Sequence, residues 1–272
     1  MEYRTQYIDK DLLLEHLRWR KEDSHKRDYG HALLVCGCER MPGAAVLATG
    51  AALKSGCGLV TLHSTATACT AAMTAFPSAM LSRDRAIPEG KYDAVGVGPG
   101  LGQDPRTADV LRNLLEAETR FVLDADALNI IAANDWTDLI PECSVLTPHM
   151  GELCRLLHTD APTEREIISL CERTQSAVVV KGPHTRVYVH TGEKFVNATG
   201  NAGLAKGGSG DVLTGLITGL LARGYNWYEA AIMGVWIHGY AADCLSAERT
   251  QECWNSRDLI EYLHRGFIEL YR

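Results

Sequence analysis

No basic tract, no long apolar run and no CxxC pair occurs in this 272-residue chain, and each absence narrows what it can be. The longest cluster of positive charge is His25-Lys26-Arg27. With 27 lysines and arginines against 34 aspartates and glutamates the net charge is −7, which argues against nucleic acid as a partner. No apolar run approaches the ~20 residues of a bilayer span, and the opening MEYRTQYIDKDLLLEHL is too charged for a secretory leader. A cytoplasmic protein with no membrane partner is the expectation. The nine cysteines are odd in number and scattered through apolar stretches, which suits buried, reduced thiols better than disulfides or zinc. Cys36 and Cys38 stand close together but have no further ligand nearby in the sequence. Internal repeats, low-complexity segments and Pro/Ser-rich linkers are missing too, so residues 1–272 are expected to form one domain with a large core.

What is present is an alternation. Nearly continuous apolar runs at 31–37, 58–64, 92–98, 121–126, 144–148, 177–182 and 185–190 read as strands. Helical patterns lie between them at Gly43–Ser55, Thr65–Phe76, Pro105–Ala117, Gly151–Leu157 and Glu164–Thr174, punctuated by Pro77, Gly90 and Pro141. Strands of this kind predict a mostly parallel sheet covered on both faces, an α/β three-layer arrangement. The last two strands, separated by Gly182-Pro183-His184, read as a hairpin at a sheet edge, and the chain is all-helical from Gly207 to Arg272. Asp9 to Arg20 reads as an N-terminal helix burying Leu12, Leu13, Leu14 and Leu17.

The most telling stretch is Asn197 to Gly224. Gly203, Gly207, Gly208 and Gly210 fall within eight residues. Asp211 follows, and then Val212, Leu213, Leu216, Ile217, Leu220 and Leu221 recur at helical spacing. Glycines let backbone N–H groups close on an anion, and the orphan donors of a helix N-terminus complete the cradle. Asp211 can be a plain helix cap. Beside a phosphate, however, a carboxylate is repelled unless it accepts a proton or holds a metal. Ser209 and Lys206 add polar groups to the same loop.

In such a sheet, ligands sit beyond the carboxyl ends of the strands. The segments there are 37–45, 98–104, 124–129, 147–152 and 181–185. The run GVGPGLG at 96–102 is out of register with GxGxxG, which speaks against a dinucleotide held in that manner; it is a binding turn of another type or a tight connection. Asp124 and Asp126 could hold magnesium or cap a helix. His149 suits a hydrogen bond to a ligand and the Lys181 cation suits a phosphate.

Taken in order, MPGAA, GPGLG, VLDADALNII, LTPHMGEL, VVVKGPHT and GNAGLAKGGSGDVLTGLITGLLARG resemble the nucleotide-dependent NAD(P)H-hydrate dehydratases, a branch of the ribokinase-like superfamily. The resemblance covers nearly the whole chain. It implies a ribokinase-like α/β/α sandwich with an edge hairpin, and an activity that removes water from hydrated NADH and NADPH with ADP or ATP as phosphoryl donor and Mg2+. In that scheme Asp211 deprotonates the ring hydroxyl, which attacks the terminal phosphoryl group, and the ring-nitrogen lone pair expels the resulting phosphate. Helix-dipole stabilisation should keep Asp211 ionised. By position, the hydrate would meet Ala44, Ala45, Gly102, His149 and Asp211. The nucleotide would meet Lys181, Gly182, Pro183, His184, Thr185, Gly207, Gly208, Ser209 and Gly210. No metal ligand set is identified.

Gly37-Cys38 replaces the glycine-serine pair of many relatives. The ~30 residues before the first strand cannot house the epimerase domain of larger relatives, so a dehydratase alone is expected. A sugar or hydroxymethylpyrimidine kinase of the same fold is the alternative, and PHMGE and GPGLG argue against it. A non-catalytic nucleotide sensor is a second rival, disfavoured by Asp211. A homo-oligomer, up to a tetramer, is expected, with the apolar helix from Ala230 to Ala247, including Trp236 and Tyr240, as a self-association surface.

Overall fold

Strands apolar on both faces need helices on both faces, and that requirement organises the molecule. The computed structural model describes residues 4–83 and 92–272, so Gly90 lies outside the described residues. The strands are β1 (Arg4–Ile8), β2 (His31–Val35), β3 (Leu59–His63), β4 (Met80–Ser82), β5 (Ala94–Val97), β6 (Phe121–Leu123), β7 (Val145–Leu146), β8 (Ala177–Val180), β9 (Arg186–Val189) and β10 (Glu193–Asn197). They form one sheet in the order β1-β10-β9-β8-β7-β6-β5-β2-β3-β4. Pairing is parallel from β8 through to β4, antiparallel at β8/β9 and β9/β10, and parallel again at β1/β10.

The helices are α1 (Lys10–Leu14), α2 (Pro42–Lys54), α3 (Ala66–Ala75), α4 (Pro105–Leu115), α5 (Ala125–Ala133), α6 (Met150–Leu157), α7 (Glu164–Thr174), α8 (Ser209–Ala222), α9 (Trp227–Glu248) and α10 (Ser256–Tyr271). Helices α2, α3, α8, α9 and α10 bury one face of the sheet, and α4 to α7 bury the other. The expected three-layer sandwich is therefore observed. No described helix is long and apolar enough to cross a membrane.

Three differences from the sequence reading have physical causes. The antiparallel hairpin β8/β9 is present at its side of the sheet, but β10 and β1 stand outside it, and β4 lengthens the opposite edge. Both outer strands are half-exposed and mixed in polarity, so they lack an apolar signature. The N-terminal helix is five residues long, started by the Asp9 side chain accepting from Leu12 N, and Leu14 is exposed. Beyond it the chain is held by side chains instead: Arg18 N donates to Tyr225 Oη (3.1 Å) and Arg18 O accepts from Tyr271 Oη (2.7 Å). Helix α9 is not a surface for self-association. Ala230 through Gly239 are buried, Trp236 stacks on Tyr240, and the Tyr240 hydroxyl donates to Glu269 (3.3 Å).

Helix α8 is buried all round from Val212 to Ala222, not along one face, because it is wedged between the sheet and α2, α9 and α10. Each fully buried leucine or isoleucine there contributes about 1.5–3 kcal/mol. Small residues make the wedge possible. A Cβ on Gly215 would come within 2.0 Å of Ala48 O, so only glycine lets α8 touch the backbone of α2. The two helices run side by side in the same direction and present their N-termini at the carboxyl ends of the strands.

Candidate active site

Five strand ends and the starts of α2, α5, α6 and α8 converge on one rim. The chain order reverses between β2 and β5, so their loops diverge there, and Gly37 N donates to Pro99 O (2.8 Å) to tie them together. The 98–102 turn has positive φ at Gly98, Gly100 and Gly102. Its Gly98 lies against Asp124 O, where a Cβ would fall at 1.8 Å. The turn is thus a tight connection that also offers polar groups: Gly102 N and Gln103 Nε2 donate to the two oxygens of Asp126, at 2.8 and 2.6 Å.

Asp124 and Asp126 do not act as a pair. Asp124 is 1% exposed and fully engaged: Lys181 Nζ donates to Oδ1 and Thr214 Oγ1 to Oδ2, both at 2.7 Å. Among the described residues no group of three or more His, Cys, Asp or Glu side chains could cage a metal ion. Lys181 also lies 3.8 Å from Glu152. Burial alone would pull its pKa down, but Asp124, Glu152 and Asp211 outweigh it and hold the ammonium above lysine's ordinary value.

Asp211 occupies the third position of α8. Among the described residues its carboxylate has no hydrogen bond or ion-pair partner. Burial, then the charge of Asp124, push its pKa up to about 6 against the pull of Lys181, with Asp126 adding to the rise. Desolvation and like charge therefore set the direction of the shift. Gly208 caps α8 at φ 91, and a Cβ there would meet Leu47 at 2.4 Å. Among the described residues the amides of Gly207, Gly208, Gly210 and Asp211 have no acceptor, while Ser209 N reaches back to Lys206 O (3.4 Å). A Cβ on Gly210 would lie 3.4 Å from Lys181 Nζ and 3.6 Å from Asp124 Oδ2, so loop, cation and buried carboxylate meet at that point.

His149 caps α6. Its Nδ1 accepts from Gly151 N (3.0 Å) and Glu152 N (3.3 Å), which places the proton of the neutral ring on Nε2. Its backbone bridges to that of Lys181 at the adjacent strand end. Gly182, Pro183 and His184 are exposed, and Thr185 closes their turn by donating to Gly182 O (3.1 Å).

Three candidates are placed differently from the sequence reading. Ala45 is fully enclosed inside α2, leaving Ala44 and Gly43 as the accessible residues of that turn. The Ser209 side chain is buried with its hydroxyl 3.4 Å from His238 Nε2, so only its backbone borders the loop. Lys206 turns away, donating to Gln251 O and to Trp254 O (2.6 Å) and lying over the Trp254 ring. It fastens the loop and does not face its open amides. Sequence reasoning missed Thr214 and Glu152, because their partners lie far away in the chain or on another strand end.

The mostly parallel α/β/α sandwich is that of the ribokinase-like class: a solved ribokinase-like superfamily protein of Enterococcus faecalis superposes with a TM-score of 0.88 at 27% identity, covering 98% of this chain and 96% of its own. Within that class the chain belongs to the NAD(P)H-hydrate dehydratase family, whose model matches residues 32–265. The ADP-dependent (S)-NAD(P)H-hydrate dehydratase of Neisseria meningitidis serogroup B is 40% identical, over 90% of this chain and 87% of its own length. The bifunctional NAD(P)H-hydrate repair enzyme of Moorella thermoacetica is 36% identical over 95% of this chain, which spans 54% of that longer protein. The solved ADP/ATP-dependent NAD(P)H-hydrate dehydratase of Bacillus subtilis, co-crystallised with ATP and Mg2+, superposes with a TM-score of 0.87. It is 29% identical, with 99% of each chain covered.

Proposed function

We propose that this protein is a lyase that dehydrates the hydrated forms of NADH and NADPH, using ADP or ATP as phosphoryl donor. The observation that carries the reading is Asp211: a half-buried carboxylate with a pKa raised to about 6, free of partners among the described residues and beside four amides that have no acceptor among them. A general base works best when its pKa lies near the operating pH. Asp211 takes the proton of the ring hydroxyl, and the oxygen attacks the terminal phosphorus as the nucleotide's bridging oxygen leaves. The amides of Gly207, Gly208 and Gly210 stabilise charge on the transferring group. The ring nitrogen then expels the phosphate as the carbon–oxygen bond breaks, and loss of a proton from the adjacent carbon restores the dihydropyridine. Phosphorylation is needed because hydroxide is a poor leaving group.

Lys181 and the 182–185 turn are the proposed nucleotide contacts, and Ala44, Gly102 and His149 border the hydrate. Asp124, Glu152 and Asp211 act on the ammonium of Lys181, and Asp126 bears on Asp211, so added phosphates would meet an excess of negative charge. Mg2+ suits this setting when carried on the nucleotide phosphates, since it usually takes one or two carboxylates plus phosphate oxygens; when bound it neutralises phosphate charge. The proposed setting is the cytoplasm, where thiols stay reduced. A homo-oligomer, up to a tetramer, is part of the reading; Tyr7, Trp19 and Met73 are among the exposed apolar side chains open to it, and light scattering giving a monomer would discard it.

The test is to incubate the protein with hydrated NADH and either ATP or ADP and to follow reduced-nicotinamide absorbance together with phosphate release. Equal recovery of both supports the dehydratase. Nucleotide consumption only with a sugar or hydroxymethylpyrimidine alcohol, yielding a stable phosphate ester, would make it a kinase instead.

A further inference from the structure

Beside the rim, α5 and α6 border a cleft of about 1010 Å3 lined by Gln103, Asn129, Gly151, Arg155 and His158, among others. Two of these residues join it to the active site. Gln103 shares Asp126 with Gly102, and Gly151 donates to the His149 ring.

The arginine on its wall is unusual in its surroundings. Arg155 Nε donates to the neutral Asn129 Oδ1 at 2.7 Å, and no carboxylate lies within ion-pair distance of it among the described residues. Its Nη1 lies 3.9 Å from where a Gly151 Cβ would stand, so the guanidinium leans over the first turn of α6. One edge of the fork is fixed while the terminal nitrogens remain open. Asp135 on the same wall is occupied by His158 at 3.0 Å, and Asp160 is exposed.

A planar fork with its stem anchored and its charge uncompensated is suited to a bidentate anion, above all phosphate. A hydrated dinucleotide whose ring reaches Asp211 must carry its phosphates and adenosine away from that carboxylate. The cleft lies next to the ring position, on the Gly102 and His149 side, and its volume is that of a ligand pocket.

We propose that this cleft seats the phosphate-bearing remainder of the hydrated dinucleotide and that Arg155 grips one of its phosphates as a positioning residue. This rests on the dehydratase reading. The phosphate has two sources: the bridging pyrophosphate common to both hydrates, or the 2′-phosphate of the NADPH form alone.

The experiment compares the wild type with Arg155→Met and Arg155→Lys in steady-state kinetics, varying NADH-hydrate, NADPH-hydrate and nucleotide separately. Arg155 is exposed, so melting curves should match. Arg155→Met should raise the hydrate KM roughly 10- to 100-fold, with kcat and nucleotide KM within about twofold, and Arg155→Lys should recover part of the loss. An equal rise for both hydrates assigns the pyrophosphate, and a rise confined to NADPH-hydrate assigns the 2′-phosphate. An unchanged hydrate KM, or a rise only in nucleotide KM, overturns the proposal while the dehydratase stands. Calorimetric binding of NADPH separates the opposite failure. A wild type that binds it through Arg155 but dehydrates nothing keeps the cleft and loses the reaction, and a wild type that binds neither NADPH nor hydrate overturns the cleft.

Discussion

Asp124 and Asp211 lie on two sides of one small space, and their surroundings are opposites. Asp124 sits at the base of the site with both oxygens filled by Lys181 and Thr214. Asp211 sits at the mouth, with no partner among the described residues and a pKa raised to about 6. A satisfied carboxylate is structural and electrostatic scaffolding, whereas in the proposed reaction the unsatisfied one beside open amides is the reagent. The same residue type serves both ends because its surroundings decide whether its oxygens are filled or left open.

Replacing Asp211 should break the contrast most. Asp211→Asn should lower kcat by about 10²- to 10⁴-fold while nucleotide still binds, checked by single-turnover kinetics and calorimetry. The folded-state value lies above the 3.8 of a free carboxyl, so the native protein holds this proton more tightly than the unfolded chain does. Its stability therefore falls as pH rises from about 4 through about 6. The asparagine variant, which cannot ionise, should be more stable at neutral pH by on the order of 1 kcal/mol, read by urea denaturation. In the wild type, activity should fall as pH drops through about 6 because the base becomes protonated.

Attacking the scaffold should look different. Lys181→Met leaves Asp124 buried without its cation and should cost about 3 kcal/mol in denaturant titration. It should also move the acidic limb of the pH–rate profile upward, since Lys181 pulls the Asp211 pKa down. Thr214→Val removes one charge-assisted hydrogen bond and should cost about 2 kcal/mol with little effect on that limb. The subtlest expected change is Asp124→Asn, which removes a like charge next to Asp211 and should shift the limb to lower pH; an unmoved limb would show that the two carboxylates are not coupled.

Much of the rim was legible in the sequence, and the contacts that brace it were not. Asp211, His149 and Lys181 each stand next to a glycine or at a strand end, where local chemistry announces a binding loop. The Asp124–Thr214 contact joins residues 90 positions apart, and Arg155 meets Asn129 across two helices, so no spacing rule reveals either. The central strands were readable because both faces are apolar. Strands β1 and β10 were not, since their half-exposed, mixed sequences look like loop. The helix dipole suggested that Asp211 stays ionised near neutral pH; burial raises its pKa to about 6, which narrows that margin but leaves the carboxylate mostly ionised at pH 7.

The backbone contact of Gly215 against Ala48 welds α2 and α8 into one body. In the proposed reaction the acceptor lies near the start of the first helix and the donor at the start of the second. Their separation is then a fixed dimension of the scaffold, like the gap of a caliper locked at one setting. Changes of substrate preference would have to arise in the loops at the tips, because the arms cannot slide.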